Sequence, residues 1–294
     1  MATRFALIIE PTASDDARSD FSATFRQVDA SAPALSVGEL STQRGDGIFE
    51  SIGVVDAHPQ EVDAHLERFV RSAEICDLPV PNVEQWRQAI DAAAVLCGAG
   101  EWVVKTILSR GIEHGPTPTA WVTAADAADF SRPRRDGISV VTLDRGFDLN
   151  TPARAPWLLL GAKTLSYAVN MASLREAHRR GADDAVFVSS DGFVLEAPTA
   201  SVILRRGDVF VTPEPTGGIL HGTTQLSAFA WLDEQGYQTA YRDVRADELR
   251  GAQAGWLVSS VRLAAPIRRV DEAAMPVDHE LTDALNAYLL SPRD

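Results

Sequence analysis

The stretch GAKTLSYAVNMA, residues 161–172, carries one lysine, Lys163, at the end of the apolar run Trp157 to Ala162. That run predicts a buried strand, and burial lowers a lysine's pKa toward a value suited to a nucleophile or base. The plainer alternative is a surface lysine whose ammonium reaches water beside the strand. What favours chemistry is the company Lys163 keeps. Downstream, GADDAVFVSSDGFVLEAPTAS (181–201) places a carboxylate, Glu196, at the end of a predicted hairpin, Ala185 to Ser189 and Phe193 to Glu196. Its Asp191-Gly192 turn supplies the positive φ that a tight hairpin needs.

Working outward, Phe5 to Ile9 and Asp46 to Val55 read as strands. Val62, Leu66, Phe69, Val70, Ala73 and Ile75 recur at helical spacing until Pro79 and Pro81 stop the pattern. A second helix is predicted over Val83 to Leu96, closed by Gly98, and strands over Trp102 to Ser109 and residues 120–124. The aperiodic segment 126–137, DAADFSRPRRDG, has the composition of a connector. It divides the chain into expected domains 1–128 and 129–294. In the second, strands are expected at Ile138 to Leu143, Ser201 to Leu204, Val209 to Thr212, Gln238 to Val244 and Trp256 to Ser259. Helices are expected at Tyr167 to Arg180, Thr223 to Gln235 and Asp247 to Leu249. The fold class is α+β: a smaller N-terminal α/β sandwich-like domain and a larger C-terminal barrel-like one, in preference to a doubly wound parallel sheet.

Composition narrows the function. With 45% hydrophobic and 23% charged residues the 294-residue chain has an ordinary globular make-up. A formal charge of −14 argues against a nucleic-acid partner, which needs clustered lysine and arginine. Two cysteines without CxxC spacing and scattered histidines give no support for a disulfide framework or a metal site. The apolar run at 5–9 is too short for a secretory signal, and no stretch approaches a membrane span, so the expected compartment is the cytoplasm.

Three segments suit an anion. GGILHGTT (217–224) is a glycine-rich loop opening into a helix, where backbone N–H groups and the helix dipole meet negative charge, with Thr223 and Thr224 adding hydroxyls. A simple threonine N-cap is the alternative. Ser259 and Ser260 end the strand WLVSS, and Arg68 in HLERF offers a cation.

Taken in order, RGDGIFESI (44–52), HLERF (65–69), ILSRG (107–111), AKTLSY (162–167), the 181–201 stretch, VTP (211–213), GILHGTT (218–224) and LVSS with Pro266 resemble the fold type IV, or class IV aminotransferase-like, pyridoxal phosphate enzymes. That family includes branched-chain and D-amino acid aminotransferases and 4-amino-4-deoxychorismate lyase, and the resemblance spans nearly the whole chain. It implies the D-amino acid aminotransferase-like fold, pyridoxal 5′-phosphate as cofactor, and a homodimer. It makes Lys163 the Schiff-base lysine and acid/base, and Glu196 the partner of the pyridine nitrogen. Arg68, Thr223, Thr224 and Ser260, with Ser259 adjacent, match phosphate-binding positions, and Tyr167 one that flanks the cofactor ring. Two positions depart from the family pattern, Ser201 where Asn is usual and Gln225 where Arg is usual. Neither removes a catalytic group, but both bear on the finer contacts.

Within the family the resemblance is closest to the lyases, through RGDGIFES, AKTLSYAVNM and LVSSVRLA. The implied reaction turns 4-amino-4-deoxychorismate into 4-aminobenzoate and pyruvate in folate synthesis. Ser51 falls where lyases of the family often carry a hydroxyl. Arg44, Arg110 and Arg262 are candidates for the substrate's carboxylates, since a guanidinium fork grips a carboxylate in two places. The alternative is an aminotransferase acting on D-amino or branched-chain amino acids. A cofactor-binding protein without turnover is the third possibility, and retention of both Lys163 and Glu196 speaks against it.

Overall fold

The structure is a computed structural model describing residues 3–293; Met1, Ala2 and Asp294, at the ends of the two expected domains, lie outside the described residues. Its contacts divide the chain into two units. The first comprises residues 1–128 with 162–167 and 292–294, and the second comprises 129–161 with 168–291. In place of a single cut after residue 128, the chain thus returns the segment containing Lys163 to the first unit.

In chain order the first unit contains β1 (Thr3–Ile9), β2 (Phe25–Val28), α1 (Leu40–Gln43), β3 (Gly47–Val55), β4 (His58–Pro59), α2 (Val62–Ile75), α3 (Val83–Cys97), β5 (Glu101–Ser109) and β6 (Thr119–Asp126). One antiparallel sheet runs β2-β1-β6-β5-β3-β4. Side chains alternate faces along a strand, so Ile48, Glu50, Ile52 and Val54 of β3 share one face and are all buried. α2 packs on β3 and α3 on its neighbours. The apolar stripe of α2 (Val62, Leu66, Phe69, Ala73) meets that of α3 (Trp86, Ala89, Ile90, Ala93), and Phe69 and Trp86 stand edge-on with centroids 4.9 Å apart. Truncating a buried aromatic of this kind costs about 3–5 kcal/mol. The Asn82 side chain caps α3 by accepting the Gln85 N–H, and Gly98 at φ 71° ends it.

The second unit contains α4 (Ser131–Asp136), β7 (Ile138–Asp144), α5 (Thr151–Arg154), α6 (Ala168–Arg179), β8 (Asp184–Val188), β9 (Ser201–Arg206), β10 (Val209–Thr212), α7 (Thr223–Glu234), β11 (Gln238–Tyr241), α8 (Ala246–Arg250), β12 (Ala254–Ser259), β13 (Leu263–Val270), β14 (Ala273–Ala274) and α9 (His279–Leu290). Its sheet runs β11-β10-β9-β12-β13-β7-β8, with β14 on β13. The pairings from β10 through β13 are antiparallel; β7 joins β13 and β8 in parallel, and β11 joins β10 in parallel. Alternation in β9 sends Val202 and Leu204 into one core with Leu257 and Ile267, and Ile203 into another with Trp256, Phe229 of α7 and Leu285 of α9. Asn286 docks α9 by bonding both the N–H and the C=O of Ala264 at 2.9 Å.

Three expectations change. The run 157–162 is not a strand. Pro156–Leu158 forms a short 3-10 turn, Leu159 is left-handed (φ 54°), and Trp157 is 74% exposed. Pro156 sets the turn, and the Leu158 and Leu159 N–H groups go to the carbonyls of Ala155 and Pro156 within it. The supposed connector holds helix α4 over Ser131–Asp136, whose Arg134 donates to the carbonyls of Val261 and Arg262. The return arm of the 185–196 hairpin pairs with β8 without forming a named strand: Phe187 and Leu195 exchange N–H groups with the Glu196 and Phe187 carbonyls.

Candidate active site

In the first unit, β4 pairs with β3 only at Val54 and Val55, leaving the other end of β3 an open edge. Residues 163–165 occupy that edge. Phe49 donates its N–H to the Lys163 carbonyl (3.0 Å) and Leu165 its N–H to the Gly47 carbonyl (2.8 Å). A Cβ on Gly47 would stand 2.7 Å from the Leu108 carbonyl oxygen and 2.8 Å from a Leu165 methyl, so this close approach requires glycine. Lys163 is half-buried, held by an edge pairing in place of the expected buried strand. Its Nζ lies 4.7 Å from the centroid of Phe49, and the Tyr167 ring stands edge-on to Phe49 at 5.4 Å.

Ser51 follows Phe49 on the same face of β3, and its cross-strand partner on β5 is Lys105. Lys105 is exposed and makes no hydrogen bond or ion pair with the described residues. The opposite face carries a buried charge network. Glu50 accepts Arg68 Nε and Nη2 at 2.8 and 2.7 Å and lies 2.7 Å from His65 Nδ1. Burial works against the Glu50 charge, yet the Arg68 cation and the bonds from Arg68 and His65 outweigh it and hold the carboxyl well below the usual range. Arg68, expected at a phosphate, is thus oriented by Glu50.

In the second unit, Glu196 Oε2 accepts the Leu220 N–H at 3.2 Å, which ties the carboxylate to the loop that opens α7. Two residues on, Gly222 is the helix N-cap and offers no capping side chain. Thr223 Oγ1 and Thr224 Oγ1 each lie 3.3 Å from Ser260 Oγ, so three hydroxyls converge at the start of a 12-residue helix. A Cβ on Gly222 would come within 2.3 Å of Ser201 Oγ. Hydroxyls gathered at a helix start that carries no capping side chain suit a phosphate monoester. Ser259 closes β12 beside Ser260. Of the two departures from the family pattern, Ser201 is this close neighbour of Gly222, while Gln225 is buried and bonds the Tyr241 hydroxyl at 3.0 Å.

The three candidate carboxylate arginines are engaged elsewhere. Arg110 binds Asp46 Oδ2 (2.8 Å) and the carbonyls of Asp77 and Cys76. Arg262 pairs with Asp184 (2.7 Å), its Nε and Nη2 buried without a hydrogen-bond partner. Arg44 is exposed and pairs with Glu113 at 3.1 Å. Two residues next to the candidates escaped the sequence reading, Lys105 opposite Ser51 and Ser72 on the Lys163 backbone. Lys105 was hidden because strand register cannot be read from one strand alone; its alternation with Trp102 to Ser109 was the available signal. Ser72, which accepts the Lys163 N–H at 3.1 Å, gave none. No group of metal-ligating side chains occurs among the described residues.

A sequence profile of the amino-transferase class IV family matches residues 47–270. A bifunctional aminodeoxychorismate lyase / D-amino acid transaminase from Mycobacterium tuberculosis is 43% identical over 275 residues, covering 89% of this chain and 95% of that protein. Among solved structures, a fold IV transaminase from Curtobacterium pusillum superposes with a TM-score of 0.93 at 48% identity, covering 98% of this chain and 99% of its own. The PLP-bound form of a hypothetical aminotransferase from M. tuberculosis gives 0.87 at 40% identity, covering 91% and 97%. The two-domain mixed α and β architecture, the phosphate-type helix start and these matches agree: the chain belongs to the class IV amino-transferase family, whose cofactor is pyridoxal phosphate.

Proposed function

We propose that this chain is a pyridoxal phosphate-dependent aminodeoxychorismate lyase, converting 4-amino-4-deoxychorismate into 4-aminobenzoate and pyruvate on the way to folate. The observation that carries the reading is the face of β3 that bears Phe49, over which Lys163 Nζ lies, and Ser51, whose cross-strand neighbour is the exposed Lys105. When bound, the cofactor supplies an electron sink for negative charge beside the amine nitrogen.

The chain's own groups do the rest. Lys163 Nζ would hold the cofactor covalently and, once the substrate's amine has displaced it, the freed amine would take the proton from the amine-bearing ring carbon. Tyr167 and Phe49 flank it. Glu196, oriented by the Leu220 N–H, accepts the cofactor's ring N–H. Thr223, Thr224, Ser260 and neighbouring Ser259 hold the phosphate, with Arg68 set in place by Glu50. Ser51 donates a proton to the departing enolpyruvyl oxygen, and Lys105 pairs with a substrate carboxylate. The ring carbon–oxygen bond breaks, the lost proton leaves an aromatic ring, and the released enol becomes pyruvate. Arg44, Arg110 and Arg262, paired with Glu113, Asp46 and Asp184, are given no part in this scheme.

A second reading, D-amino acid transaminase, is supported by the names of the relatives, one bifunctional and one a transaminase. In this reading Lys163 would carry the substrate's proton both away and back, and Ser51 would be dispensable. A cytoplasmic homodimer belongs to both readings; no helix among the described residues is long and apolar enough to cross a membrane. The deciding assay supplies purified protein with 4-amino-4-deoxychorismate generated in situ. Equal appearance of 4-aminobenzoate and pyruvate supports the lyase. Neither product, alongside amino transfer from D-alanine, moves the assignment to the transaminase.

A further inference from the structure

We infer that Arg134 is a positioning residue for the cofactor's phosphate, acting through the loop that carries Ser260. This rests on the assignment of the phosphate to the hydroxyls of Thr223, Thr224 and Ser260. In the second unit β12 and β13 pair as far as Ser259 opposite Leu263, so Ser260, Val261 and Arg262 form a three-residue hairpin loop. Backbone carbonyls in such a loop leave the ladder and need partners elsewhere. Arg134 supplies them: its Nε donates to the Arg262 carbonyl and its Nη2 to the Val261 carbonyl, each at 2.9 Å. Nε and Nη2 share one edge of the planar guanidinium, so a single fork spans two successive peptide groups.

This loop has to be held. Three-residue hairpin loops close on a left-handed residue, where glycine is favoured. Here that residue is Leu263, at φ 62° and 4% exposed. A bulky side chain in this region is strained, and such strain persists only where the surroundings over-determine the conformation. The Arg262 side chain is anchored on Asp184 at 2.7 Å, and Asn286 bonds both backbone groups of Ala264 at 2.9 Å. These contacts fix the exit from the loop. The Arg134 fork fixes its middle, next to Ser260.

What the loop positions is one hydroxyl. Ser260 Oγ lies 3.3 Å from both Thr223 Oγ1 and Thr224 Oγ1, and the two threonines are set by their own helix, α7. Convergence of the three hydroxyls on one anion therefore depends on where the 260–262 loop stands. A displacement of about 1 Å takes one hydroxyl out of hydrogen-bond range of a phosphate oxygen held by the other two.

The test compares pyridoxal phosphate with pyridoxal, which lacks the phosphate, by absorbance titration of the full-length protein stripped of cofactor. The ratio of the pyridoxal dissociation constant to that of pyridoxal phosphate reads the phosphate alone. Arg134→Met should lower this ratio by about 10-fold, the worth of one charge-assisted bond, and leave pyridoxal binding near wild type. Ser260→Ala should lower it by itself, and in that background Arg134→Met should add no further loss. Arg134→Lys keeps the charge but gives up the fork, so it too should fall below wild type, and it carries the comparison should the methionine variant fail to fold. A wild-type ratio in either Arg134 variant, or an undiminished Arg134 effect in the Ser260→Ala background, overturns the inference. The phosphate assignment is read separately: a wild-type ratio in Ser260→Ala alone refutes that reading, whatever the Arg134 variants show.

Discussion

Lys163 donates its backbone N–H to Ser72 Oγ at 3.1 Å, a bond between residues 91 positions apart. Ser72 is 1% exposed and lies on α2, the helix that also carries His65 and Arg68. The serine therefore fixes the lysine's backbone to the element bearing the proposed phosphate arginine. Ser72→Ala leaves the Lys163 N–H without this acceptor, at a cost of about 1–3 kcal/mol. Urea denaturation should show that loss, and turnover should fall more than cofactor content does.

Lys163→Ala removes Nζ and none of the backbone bonds that hold 163–165 on β3. The variant should melt close to wild type, yet lose the cofactor's covalent absorbance and essentially all turnover. Both are read on the same sample by absorbance and assay; full activity would end the covalent assignment.

Glu50→Gln leaves Arg68 and His65 without their buried anion. Breaking such a pair costs about 3–5 kcal/mol. The sign with pH follows from the depressed folded pKa. The Glu50 contribution is fully present above the unfolded carboxyl's ordinary pKa, shrinks below about pH 4.5, and is lost as pH falls through the folded value. The difference between wild type and Glu50→Gln in denaturant should narrow as pH falls below about 4.5. A difference that widens over that range contradicts the assignment.

Gly222→Ala forces a Cβ against Ser201 Oγ. Overpacking of this kind costs about 1–3 kcal/mol. Adding Ser201→Ala removes the clashing atom and should restore most of the stability, a coupling that a double-mutant cycle in urea measures directly.

Lys105→Met should raise the lyase KM by about 10-fold or more, the worth of one charge-assisted bond, with the melting temperature unchanged because the side chain is exposed. Ser51→Ala should lower lyase kcat by about 100-fold or more while amino transfer from D-alanine persists. Equal losses in both activities would place Ser51 in shared architecture.

Much of this architecture is legible along the chain. The period-2 pattern of Ile48, Glu50, Ile52 and Val54, the period-3.6 pattern of Val62, Leu66, Phe69 and Ala73, and glycines such as Gly98 and Gly192 are local signals. The physics that reads them, side-chain direction and backbone sterics, is local as well. The run 157–162 misleads. Its apolar content says strand, but Pro156 opens a short 3-10 turn and Leu159 is left-handed, so the backbone never becomes extended.

The sequence by itself pointed to the family, to most of the elements, and to Lys163, Glu196 and the hydroxyls at 223, 224 and 260 as the residues proposed for the chemistry. Only the tertiary structure decided which charges remain available. Arg110 is paired with Asp46 and Arg262 with Asp184, while the register of β3 and β5 sets Lys105 opposite Ser51 with no ion pair among the described residues. Charge pairing acts through space at a few ångströms, between residues such as Arg262 and Asp184 that are 78 positions apart, and no pattern within one segment records it.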